Sequence, residues 1–142
     1  MDIFVTALFM LETALALLIG GMIFFPSVVA PTVFTVLDTA HGSAFLRALF
    51  PRYYAFITVA SLLGLVSTLI LPHHDIAAFV FAFVAGSTVW VMLWLVPKLN
   101  RWRDLQLEGD AVAGQKFKQG HRISVLINLS QLIALIATAV YV

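Results

Sequence analysis

Glu12 is the only ionisable side chain set deep within a long apolar run of this sequence, which makes it the first candidate for chemistry. A carboxyl in the hydrocarbon of a membrane costs a few kcal/mol even on the mildest scale, so such residues usually serve proton or cation handling. It lies nine residues into the run Ile3–Phe25, about 14 Å deep at 1.5 Å per residue and so near the midplane. Ala16 and Gly20 follow at four-residue steps, and small residues on a shared face let another helix approach closely. Two readings stand: a proton-carrying or cation-binding carboxylate inside a bundle, or a hydrogen-bonded structural Glu.

A second set of polar residues forms a seam. His121, Ser124, Asn128 and Gln131 are spaced by three, four and three residues, which on a helix confines them to an arc of about 80°. Phe117 extends the seam upstream. Gln131 enters from the opposite side to Glu12 yet reaches a similar depth, roughly 14 Å. The expectation is a buried pair of Glu12 with Gln131, or with Asn128 one turn away. The alternative is hydrogen-bond glue between helices, worth about 0.6–2 kcal/mol per contact.

His73, His74 and Asp75 are adjacent and could offer nitrogen and oxygen ligands to copper or zinc. A full site wants three or four converging ligands, so a solvated turn is the competing reading. Tyr54, Thr58, Ser61 and Thr68 form a weaker seam, of hydroxyls that often bond their own helix backbone. Ala82, Gly86, Trp90 and Trp94 read as a packing stripe with interfacial anchors. No phosphate loop, dinucleotide fingerprint, nucleophile elbow or zinc-protease motif occurs. With no cysteine there is no thiolate chemistry.

The elements that hold these residues follow from composition. Of 142 residues 62% are hydrophobic and 11% charged, and mean hydropathy is +1.04. Soluble domains carry about 25% charged residues, and a small one cannot hide this much apolar surface. Lipid must be the solvent over most of the surface. The net charge of +1 does not point to nucleic acid; the expected partners are the bilayer and further copies of the chain.

Four runs can cross a hydrocarbon core of about 30 Å, which takes roughly 20 helical residues. They cover about 3–25, with an extension past Pro26 and Pro31 to 37, then 53–71, 75–96 and 122–142. Pro51 is expected in the first turn of the second span and Pro97 at the close of the third. Residues 98–121 read as the one long polar linker, its later part helical from Asp110 as N-cap. The predicted fold is all-α: one integral membrane four-helix bundle with a long, kinked first helix, over residues 1–142.

All eight Lys and Arg fall beside the first and third linkers: Arg47, Arg52, Lys98, Arg101, Arg103, Lys116, Lys118 and Arg122. The positive-inside rule then puts both basic loops in the cytoplasm and both termini outside, in a bacterial-type inner membrane. No basic n-region precedes the first run, which therefore reads as a permanent helix.

The stretch from Gly20 to Phe34 (GGMIFFPSVVAPTVF), Leu49-Phe50-Pro51-Arg52-Tyr53-Tyr54 and the Phe117, His121, Ser124, Asn128 series together resemble the transmembrane protein 205-like family. That resemblance implies a small four-helix membrane bundle with no assigned reaction. In size and span count the chain also looks like the copper-resistance protein D-like group and the HemJ-type protoporphyrinogen oxidases. Three functions compete on these readings. One is a module binding a hydrophobic or tetrapyrrole ligand through Glu12, His121 and Asn128, with haem, porphyrin or a copper or zinc ion as cofactor; as an enzyme it would be a membrane oxidoreductase of a porphyrin-like substrate. Another is a proton, cation or metal transport component. The third is a structural or assembly protein.

Overall fold

The computed structural model describes residues 2–142 as four long helices and no strand. We label them α1 (Ile3–Val36), α2 (Thr39–Ile70), α3 (Asp75–Leu107) and α4 (Ala111–Tyr141); all four are long and apolar enough to cross a membrane. Each neighbour in sequence packs against the next, and α4 closes the ring against α1. The result is an all-α, antiparallel four-helix bundle, the architecture of a multi-pass membrane protein. Its interior is filled by Leu11, Leu18 and Met22 of α1, Ile57 of α2, Phe81 and Val84 of α3, and Leu135 of α4, all fully buried.

Local chemistry sets the helix starts. Asp2, Asp38 and Asp110 cap α1, α2 and α4, each accepting from backbone N–H groups of the first turn. Asp110 thus starts a helix that runs unbroken to Tyr141. The turn between α2 and α3 bends at His73, whose φ is +61°, and the turn before α4 bends at Gly109, at φ +102°. The second of these is a conformation that glycine adopts without a steric penalty.

The helices run further than the apolar runs suggest. Lys98–Leu107 continues α3 and Ala111–Gly120 opens α4, so the expected long linker is a helical hairpin around Glu108–Asp110. Gly114 and Gly120 sit on its inner face because α3 comes too close for a side chain there. A Cβ at Gly120 would lie 2.8 Å from Leu99 and 3.0 Å from Trp102.

The prolines bend helices without ending them. Pro97 lies inside α3, just beyond a π-helical turn at Val91–Leu95, and Phe25–Val29 forms a similar turn ahead of Pro31 in α1. A proline ring clashes with the carbonyl four residues back, and a widened turn at that carbonyl makes room for it. Pro51 likewise sits inside α2, not in its first turn. There the Arg52 guanidinium donates to the Ala48 carbonyl at 2.6 Å, in the stretch where Pro51 leaves the helix one donor short.

A helix of this length spans about 50 Å against a hydrocarbon core of about 30 Å. The excess projects at the end away from the termini, where all eight basic residues lie. Arg47 of α2 and Asp104 of α3 pair across this projection, with Nη2 and Oδ1 2.6 Å apart. Lys98 lies over the Trp94 ring, which stacks in turn on Trp90, as amphipathic anchors do at a membrane interface.

Candidate functional site

The polar residues of α4 change surroundings along its length. Gln131 is buried at 2% exposure. Its side-chain NH2, with two N–H donors, donates to Ser87 Oγ at 2.7 Å and to Thr88 Oγ1 at 3.1 Å, and the Val84 carbonyl lies at the edge of reach at 3.5 Å. These contacts tie α4 to α3 in the middle of the bundle. One turn towards the basic end, half-buried Asn128 donates to the Tyr53 hydroxyl of α2 at 3.4 Å, a long and therefore weak bond. Ser124 returns its hydroxyl to the His121 carbonyl at 2.7 Å. His121 itself is exposed and stacked on Phe117. The four expected residues thus share a face, but the face leaves the interior as α4 passes into the projecting part of the bundle.

Glu12 does not join them, which corrects the expectation of a Glu12–Gln131 or Glu12–Asn128 pair. Although α1 and α4 touch as expected, Leu11, Ala14, Leu15 and Leu18 take the inward face of α1 and leave Glu12 exposed on the outside. At 100° per residue a single step from Leu11 turns a side chain most of the way out of a buried arc. The proton- or cation-carrying reading of Glu12 inside the bundle loses its basis.

The partners of Gln131 are the residues that sequence reasoning missed. Ser87 and Thr88 are adjacent polar residues midway along an otherwise apolar span. Counting from Asp75 puts them roughly 18–20 Å deep, close to the level of Gln131, so depth matching could have paired them. The hydroxyls of α2 behave as their type suggests: Thr58, Ser61 and Thr68 donate to carbonyls of Tyr54, Ile57 and Leu65 in their own helix. Beside Asn128, the rings of Phe25, Phe50, Tyr53 and Tyr54 form an aromatic cluster joining α1 to α2.

His73, His74 and Asp75 line a surface recess of about 500 Å³ at the end that holds the termini, together with Tyr141 and Val142. They do not converge. Nδ1 of His74 lies 2.6 Å from the Pro72 carbonyl, which engages that nitrogen within the turn. Among the described residues no three His, Asp or Glu side chains are grouped to hold a metal ion, so the expected copper or zinc ligand set is not assembled.

No curated protein and no solved structure matches the chain. A family match covers residues 13–107, from α1 through the whole of α3. It therefore includes Ser87, Thr88 and Tyr53, the residues that receive the α4 seam, with all of α2 and α3 and most of α1. On that match the chain belongs to the family described as Domain of unknown function (DUF4149).

Proposed function

We propose that this chain is an assembly component of a membrane, in which the polar residues of the bundle hold helices together and do not carry substrate chemistry. The observation behind this reading is the bonding of Gln131, whose amide donates to two hydroxyls on α3. A buried amide engaged in this way acts as a clamp between spans. The basic end then faces the cytoplasm and the termini lie outside, in a bacterial-type inner membrane, by the positive-inside rule.

Purified protein tests the role. On this reading Gln131→Leu and Asn128→Leu weaken the bundle or change its oligomer size, and the wild type carries no stoichiometric chromophore or metal. A chromophore lost in Asn128→Leu at unchanged stability would contradict it.

A second reading has one observation in its favour. Tyr53, Asn128, Ser124 and exposed His121 lie along a continuous line from the interior to the basic end, beside the four-ring aromatic cluster. Such a face suits the edge of a flat, largely apolar ligand such as a tetrapyrrole. Titration with haem or a porphyrin, followed by its Soret band, separates the two readings: saturable binding abolished by His121→Ala supports this one.

A further inference from the structure

We propose that the outer face of α1 marked by Glu12, Ala16 and Gly20 is a contact surface between two copies of this chain. Glu12 stands on the lipid-facing side of the bundle near the midplane, and no ion pair found among the described residues involves it. Carboxyls at that depth are rare facing lipid and normally pair with a polar group, because hydrocarbon offers no hydrogen-bond partner. The surface below it is shaped for close approach. Ala16 is exposed, and a Cβ built on Gly20 would meet no atom within 4 Å. Small residues four apart are the pattern by which two membrane helices bring their backbones together.

A second copy is the occupant that meets both needs. Two copies inserted in the same direction place their Glu12 residues at one depth, and a two-fold axis along the membrane normal sets them face to face. Two carboxyl groups brought face to face can hydrogen-bond to each other, so the surface is complementary to itself, as an isologous interface requires. Ala16 and Gly20 then meet their own counterparts. Elsewhere the outer faces carry mostly bulky apolar groups, such as Val66 and Leu69 on α2 and Ile133 and Val140 on α4; α3 also exposes the small pair Ala82 and Gly86, but no carboxyl lies between Asp75 and Asp104 to need a partner there.

This surface deepens the assembly role proposed above and rests on it. The seam of α4 takes no part in the contact, so the following experiment can fail while the Gln131 bonds stand. Because the chain has no cysteine, single cysteines report cleanly. Ala16→Cys in native membranes under mild oxidation should give a covalent dimer, and Val66→Cys on α2 should give little. Adding Glu12→Gln, which keeps a donor and an acceptor, should preserve the yield, whereas Glu12→Leu should lower it about fivefold. Wild-type protein with a single fluorophore, diluted in liposomes, should bleach in two steps. Equal cross-linking at Ala16 and Val66, an unchanged yield with Glu12→Leu, joining of Ala16→Cys to a different protein, or single-step bleaching would each overturn the proposal.

Discussion

Asp38, between α1 and α2, accepts from the backbone N–H groups of Ala40 and His41, and its other carboxylate oxygen lies 2.6 Å from Nδ1 of His41. The N–H and ring of His41, with the N–H of Ala40, outweigh slight burial and hold this carboxyl below the usual aspartate range. A lowered folded pKa stabilises the folded state at neutral pH, and that contribution disappears as pH falls through it. Protection of the Ala40 and His41 amides, measured against their intrinsic exchange rates, should therefore fall below the ordinary aspartate range. Asp38→Ala should show low protection at every pH, and Asp38→Asn, which still caps, should remove the pH dependence. Of the three capping aspartates, Asp110 was legible in the sequence as the N-cap of the stretch leading into the fourth span. The orientation of Glu12 was not. A span that is apolar all round gives no rotational phase, so depth could be counted along α1 but not which way each residue faces.

Helix α2 packs tightly on α3 at Gly64, which is buried against Phe81. A Cβ there would penetrate the Phe81 ring, so Gly64→Ala must push the two helices apart or drive the ring from its rotamer. Overpacking of this kind costs roughly 1–3 kcal/mol, and unfolding in detergent or bicelles should show a loss of that size. Gly20→Ala, where a Cβ meets nothing, should leave the stability of the single chain almost unchanged. The same steric logic governs Gly114 and Gly120. In the bundle they are the seats of Gln106, Leu99 and Trp102. Pro51 and Pro97 were read as helix ends because their local effect is to remove a donor. In the structure both prolines sit inside continuous helices, Pro97 just beyond a wider turn at Val91–Leu95 that makes room for its ring.

Across the whole molecule, span number and the gathering of basic residues at one end were readable from hydropathy and charge, since the bilayer enforces both. The α1–α4 contact was expected too, but the residues that meet inside were not, because they depend on which faces of apolar helices meet. Arg47 and Asp104 join the two projecting hairpins, but their side chains are 45% and 52% exposed. Solvent screening limits such a pair to about 0–1 kcal/mol, so Arg47→Ala should destabilise the bundle by less than that, and added salt should erase the difference. The interior carries the polar contact that matters most, between α4 and α3. A double-mutant cycle of Gln131→Leu and Ser87→Ala, measured by unfolding in bicelles, tests it directly. The clamp predicts a coupling of about 0.6–1.7 kcal/mol between the two changes; additivity within about 0.3 kcal/mol would show that the seam does not hold the helices together.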